Sequence, residues 1–298
     1  MSSHQILQKY KPQSFSDKLN QRIVGSPFNA YGMPKNTRYS HLGLMDVGFL
    51  GRIGTPTAFD DTGLKAYYKF DEASGDIINL SESAVDLGSA ADLQVTGATH
   101  GVTGILDDAL SFDGVNDKAI AGTSLSQFNY MHGGTPKWTV AFWYKANNLP
   151  TGNEVIFNNN AVSATSGFNG AGSFFGASEE LFVRISNFAA GGLIEFTSTT
   201  GYLPDATTFH FYVITWDQSL GSNNLTIKRD DANVENGTKT AGSPSSADAS
   251  DPMTLGIQSG ASATPLDGVL DEMSFWSKVM SDADQTKLFN SGAALAIY

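Results

Sequence analysis

The 298-residue chain has no cysteine, which excludes a disulfide framework, a thiolate metal site and a thiol nucleophile. It has no run of about 18 apolar residues, so no membrane-spanning helix is expected. The opening MSSHQILQKYKPQSFSDKLNQ lacks the continuous apolar stretch of a secretory signal, and the expectation is a chain not exported by the general route. Histidine is scarce, and neither His4, His41, His100, His132 nor His210 stands in a Gly-x-Ser-x-Gly context. No His pair has zinc spacing, and no glycine-rich loop has the pattern that cradles phosphate. Long helical periodicity is missing as well.

Short strands are what the chain has in abundance. In WTVAFWYKA, Trp138, Val140, Phe142 and Tyr144 alternate with Thr139, Ala141 and Trp143, a two-residue period that predicts a half-buried strand. Further strands are predicted in LKAYYKF (64–70), GILDDALSFDG (104–114), ELFVRISNF (180–188), LIEFTST (193–199), TFHFYVITW (208–216), NLTIKR (224–229) and MTLGIQ (253–258). GFNGAGSFFG (167–176) reads as a hairpin loop with Asn169-Gly170 at its turn. The last strand spans 268–276, with Val269, Asp271, Met273 and Phe275 on one face and Leu270, Glu272, Ser274 and Trp276 on the other. A helix of two to three turns follows, capped by Ser281 with Asp284 three residues on and stopped by Gly292. With 31 glycines between the strands, the fold class is all-β: an antiparallel two-sheet jelly-roll sandwich with an extended N-terminal arm.

The blocks AYYKFDEASGD, ALSFDGVNDKA, WTVAFWYKA, FHFYVITWD and LDGVLDEMSFWSKVMSDADQTKLFNSG, in that order, resemble a laminin-G-like domain of the concanavalin A-like jelly-roll superfamily. The resemblance covers Gly63 to Ala294, and the domains divide as residues 1–60, the arm, and 61–298, the jelly roll. Many animal members carry a disulfide, which this chain lacks. The resemblance implies a lectin, adhesion module, enzyme accessory or virion part, because the fold hosts all of these. It also implies a structural Ca2+ near the sandwich rim, with Asp71, Asp113 and Asp271 as ligands from three matching blocks. The alternative for these acids is that they hold turns by side-chain hydrogen bonds.

Glucanases on this superfold need carboxylates alternating along one strand, as in Glu-x-Asp-x-Glu, and no such triplet is present. Glu179 with Glu180 and Asp271 with Glu272 are adjacent, so each pair is expected on opposite strand faces, while Asp230 and Asp231 are expected in a turn. His210 is expected to point outward between Phe209 and Phe211. No catalytic residue is assigned and the chain is read as non-enzymatic. For sugar stacking the candidates are Trp143, Trp216, Trp276 and Tyr202, each with core packing as the competing role. The polar stretches 158–172 and 231–251 are candidate binding edges.

Charge is split unevenly. Lys9, Lys11, Lys18, Arg22, Lys35, Arg38 and Arg52 against Asp17 and Asp46 give residues 1–59 a net +5, within a total of −12. The arm contains one predicted helix, 14–24, and enough apolar residues (Phe15, Phe28, Tyr31, Tyr39, Phe49) to bury against something. Its seven basic residues are the candidate partner-binding set. Two functions stay open. The first is a virion protein, a capsid decoration or fibre-associated part, whose arm binds capsid or tail proteins and whose jelly roll contacts host-surface glycans. The second is a stand-alone lectin or adhesion module. Neither nucleic acid nor membrane is an expected partner, and self-association is left open.

Overall fold

In a computed structural model the described residues are 59–159, 169–187, 192–239, 247–258 and 264–298. The chain divides into residues 1–58 and 59–298, and the arm with its expected helix lies outside the described residues. The strands are β1 Leu64–Tyr68, β2 Leu93–Thr96, β3 Thr99–Thr103, β4 Asp108–Asp113, β5 Lys118–Ala121, β6 Lys137–Ala146, β7 Glu154–Asn158 and β8 Gly170–Phe175. They continue with β9 Leu181–Asn187, β10 Gly192–Thr197, β11 His210–Asp217, β12 Leu225–Arg229, β13 Asn233–Gly237, β14 Thr254–Leu255 and β15 Asp267–Trp276, before helix α1, Asp282–Phe289.

All pairings are antiparallel. One sheet runs β13-β12-β11-β6-β15-β4-β3 with β1 also on β15, and the other runs β10-β9-β8-β7-β14-β5-β2. The two inner faces interdigitate as expected of a jelly-roll sandwich. Trp138, Val140, Phe142 and Tyr144 of β6 enter the common core, together with Tyr212, Ile214 and Trp216 of β11 and Val183 and Ile185 of β9. Backbone must come close where β14 ends: Gly256 sits at φ 85°, and a Cβ there would stand 2.3 Å from the Phe112 ring.

The eight-stranded sheet is apolar on its outer face too, and α1 is the reason it can be. Tyr67, Trp143, Phe211, Val213 and Trp276 form a second cluster with Met280 and Leu288. Phe289 stacks on Trp143 with centroids 5.9 Å apart. Ser281 is the N-cap, its side chain accepting from the Asp284 backbone N–H. The helix stops earlier than the glycine suggested, at Asn290 in the left-handed conformation with φ 46°.

Two local expectations are corrected. Residues 170–175 are not a hairpin loop but strand β8, paired with β7 on one side and β9 on the other within the seven-stranded sheet. The face pattern of 268–276 also breaks. β15 pairs with β4 through Asp267–Leu270 and with β1 through Met273–Trp276, and its register on β6 shifts between Asp271 and Ser274. Glu272 at φ 49° is the extra residue of this bulge.

Candidate functional site

The bulge places two acids on one side. Leu270 and Met273 both enter the common core. Between them, Asp271 faces Trp143 across the β15–β6 register. Glu272 accepts a hydrogen bond from the Tyr67 hydroxyl, so both carboxyls lie on the outer face rather than on opposite faces. Asp271 Oδ2 accepts from the backbone N–H groups of Ile105 (2.7 Å) and Leu106 (3.1 Å), tying down the β3–β4 turn where β15 changes partner. Asp271 is fully buried and Glu272 is 6% exposed. Burial first, and then their mutual repulsion, push Asp271 up to about 8, while burial is the main force that lifts Glu272 to about 7. A sealed acid pair of this kind cannot reach a substrate.

The three acids proposed for calcium are not gathered into one ligand set. Asp71 accepts from the Asp108 N–H (3.2 Å) and pairs with Lys69 (3.0 Å). Asp113 accepts from the Val115 N–H in a turn and stands opposite Asp267 in the β4–β15 register. That is four residues from Asp271, on the order of 13 Å along the strand. Among the described residues no group of three His, Asp or Glu side chains is placed to hold a metal ion. All three carboxylates instead accept from backbone N–H groups, Asp71 and Asp271 on either side of the same turn.

The four aromatics proposed for sugar stacking are all buried, with exposures of 2% for Trp143, 0% for Trp216 and Trp276, and 3% for Tyr202. Core packing and the α1 cover took them, so none offers a face to a ligand. His210 is not outward either. It shares the parity of Tyr212 and Ile214 and stands at the sandwich rim, its side chain 13% exposed. Thr208 Oγ1, His210 Nε2, His210 Nδ1 and Asp230 form a hydroxyl–imidazole–carboxylate chain with links of 3.1 and 2.7 Å. Asp205 disarms it as a nucleophile system, because the Thr208 hydroxyl donates to Asp205 Oδ1 and Nε2 lies 3.2 Å from Asp205 Oδ2. Asp230 and Asp231 occupy the β12–β13 turn, as expected, at φ 53° and 54°.

The described surface with recognition chemistry is the outer face of the seven-stranded sheet. Alternation along β9 sends Leu181, Val183 and Ile185 inward and leaves Phe182, Arg184 and Ser186 outside. Register places Glu195 of β10 beside Arg184 and Thr197 beside Phe182. From β8, Phe174 stacks flat on Phe182, centroids 4.7 Å apart at 6°, and the Arg184 guanidinium lies 4.6 Å from the Phe174 ring. Arg184 also pairs with Glu195. Gly172 keeps the neighbouring floor bare, since a Cβ would press on Phe157 O at 3.1 Å and Asn158 at 3.3 Å. A half-buried aromatic ring flanked by a fixed guanidinium and carboxylate is the combination that grips a ring with an apolar face and hydroxyl edges. None of these residues was singled out from sequence, although the alternation in ELFVRISNF and LIEFTST carried the signal.

The model of the concanavalin A-like lectin/glucanases superfamily matches residues 117–284, more than half of the chain. The chain belongs to this superfamily. No curated protein sequence matches it. Among solved structures, this superfamily member is similar to the binding domain of botulinum neurotoxin serotype D, with TM-score 0.55 and 11% identity over 79% of this chain and 53% of that one. It is also similar to a Trypanosoma rangeli sialidase in complex with sialic acid (TM-score 0.53, 12% identity, 77% of this chain and 33% of that one). The binding domain of botulinum neurotoxin DC in complex with SialylT gives a TM-score of 0.52 at 11% identity, over 77% of this chain and 51% of that one. The chain thus spans about a third to a half of these structures, and at such identities the likeness is one of fold. The seven basic residues Lys9, Lys11, Lys18, Arg22, Lys35, Arg38 and Arg52 lie outside the described residues. Among the described residues no helix is long and apolar enough to cross a membrane.

Proposed function

We propose that residues 59–298 are a non-enzymatic glycan-recognition module and that residues 1–58 tie it to a larger particle, a virion in the fullest form of this reading. The observation that carries the recognition half is the Phe182 ring, partly buried on the outer face, backed by Phe174 and edged by Arg184 and Glu195. It stands on the outer face of the superfamily's sandwich, and relatives of the same fold are described in complex with sialic acid and SialylT. The sealing of Asp271 and Glu272 and the engagement of both His210 ring nitrogens by Asp230 and Asp205 support the non-enzymatic half. The particle half draws on the +5 segment attached to an otherwise acidic chain.

Binding of the full-length chain to a panel of neutral and sialylated glycans tests the reading. Phe182→Ala should weaken the best ligand about tenfold through loss of stacking, with the native fold retained by circular dichroism and only a modest drop in the unfolding midpoint from the lost Phe174 contact. A panel with no ligand, or a ligand indifferent to Phe182, overturns it.

A further inference from the structure

His210 opens β11 and is gripped from two directions: Nδ1 stands 2.7 Å from Asp230 Oδ2 and Nε2 stands 3.2 Å from Asp205 Oδ2. Both carboxylates are already fixed by other donors. Asp230 Oδ1 accepts from the Phe211 N–H (2.9 Å), while Asp205 Oδ1 accepts from the N–H groups of Thr207 (2.8 Å) and Thr208 (2.9 Å). Carboxylates held this way are acceptors only, so both imidazole contacts are hydrogen bonds only when the ring carries two protons. A neutral ring keeps one N–H and turns a lone pair towards the other carboxylate.

The two acids belong to separate parts of the fold. Asp230 is in the β12–β13 turn, whereas Asp205 is in the segment 198–209 that crosses from β10 in one sheet to β11 in the other. The far end of that crossing is stitched to the β8–β9 turn, with Gly201 N–H donating to Ser178 O (3.0 Å) and Leu203 N–H to Glu179 O (3.0 Å). Its near end has His210. We propose that Asp205, His210 and Asp230 form a pH-operated latch, which pins residues 204–209 of the crossing segment to the β12–β13 turn while the imidazole is a cation and loosens them when it is neutral.

The other charged and titratable groups around the ring do not take over this role. Arg229 lies 3.5 Å from Asp230 and donates to Tyr202 O, and the Tyr202 hydroxyl donates to Asn233 O (2.7 Å), so Tyr202 stays tied to β12 and β13 whatever the charge on His210, and the latch governs only residues 204–209. Lys228 is committed to Asp231 at 2.8 Å. Tyr144, opposite His210 on β6, and Tyr212, next but one on β11, are buried phenols raised well above their usual range by burial. Burial opposes the charge on His210, but the hydrogen bonds and charges of Asp230, followed by those of Asp205, outweigh it and lift the imidazole above its ordinary 6.5. A raised histidine stabilises the fold fully below the unfolded value near 6.5 and loses that contribution as pH rises through the folded value.

The test needs no ligand, so it stands or falls apart from the glycan reading. In the full-length protein, the His210 ring proton signal, assigned by its loss in His210→Gln, is titrated by NMR. Its midpoint should lie above 6.5 and move down in Asp205→Asn. Hydrogen exchange of 204–209, corrected for intrinsic rates, should then lose protection between pH 6 and pH 8.5 in the wild type, by about tenfold for each unit of upward shift. In His210→Gln that loss should vanish. A wild-type midpoint at or below 6.5, or the same pH response in both proteins, overturns the latch. Should His210→Gln not fold, Asp205→Asn carries the comparison, because it keeps the ring and its Asp230 bond.

Discussion

At the scale of single residues, the Asp-Glu pair of β15 shows how a carboxylate can do the work of strand pairing. β4 and β1 meet β15 in succession, and where one hands over to the other Asp271 satisfies the N–H groups of Ile105 and Leu106. The cost is two buried acids held near 8 and 7. Both folded values are raised above the unfolded ones, so their contribution is fully present below about pH 4 and is lost as pH rises through 7 to 8. Asp271→Asn retains an acceptor for the turn and removes the charge. Its stability by urea unfolding should therefore fall less than that of the wild type between pH 5 and pH 9, the gap reaching several kcal/mol. Parallel curves would refute the assignment. The pair was invisible in sequence because strict alternation puts neighbours on opposite faces, and only the change of partner along β15 forces the extra residue. His210 was misjudged for a related reason: Phe209 and Phe211 looked like the buried face until α1 was seen to bury the outside as well.

At the scale of elements, strands with apolar or aromatic alternation were legible whatever their length, the five-residue β1 and β12 among them, and strands with little of it were not. β6, β9 and β11 each bury large side chains at every second position, and β15 does so on either side of its bulge, which the sequence displays apart from the bulge itself. β2, β3 and β13 have four or five residues, with few apolar ones, and take their conformation from neighbours already in the sheet. The recognition face lies between these cases: β9 was read as a strand, but which of its outward residues matter depends on the partners that β8 and β10 bring to it. Helix α1 tests whether local signals or packing dominate. Eight residues are too few to be stable alone, so its cap should matter less than its contact with the sheet. Ser281→Ala should cost about 1 kcal/mol, and Leu288→Ala, which opens the cluster over Trp143, about 2–5 kcal/mol, both from urea midpoints at constant m. A cap mutant as damaging as the core mutant would reverse that ranking.

At the scale of the whole molecule, the division of charge is the feature that fold likeness does not explain. With +5 on residues 1–59, the rest of the chain carries −17, so copies of the body repel one another while the basic segment seeks an acidic surface. A sandwich with two apolar clusters of its own has the means to fold without that segment. Deleting residues 1–58 should therefore leave near-ultraviolet circular dichroism and the unfolding midpoint nearly unchanged and, if the proposed tether operates, should abolish incorporation into the proposed particle. If attachment is electrostatic, replacing Lys9, Lys11, Lys18, Arg22, Lys35, Arg38 and Arg52 by serine should weaken it most at low salt and least at high salt, where screening already removes the attraction. Retained incorporation by the truncated chain would rule out the tether. A salt-independent loss in the serine variant would instead assign attachment to Phe15, Phe28, Tyr31 and the other apolar residues among the first sixty.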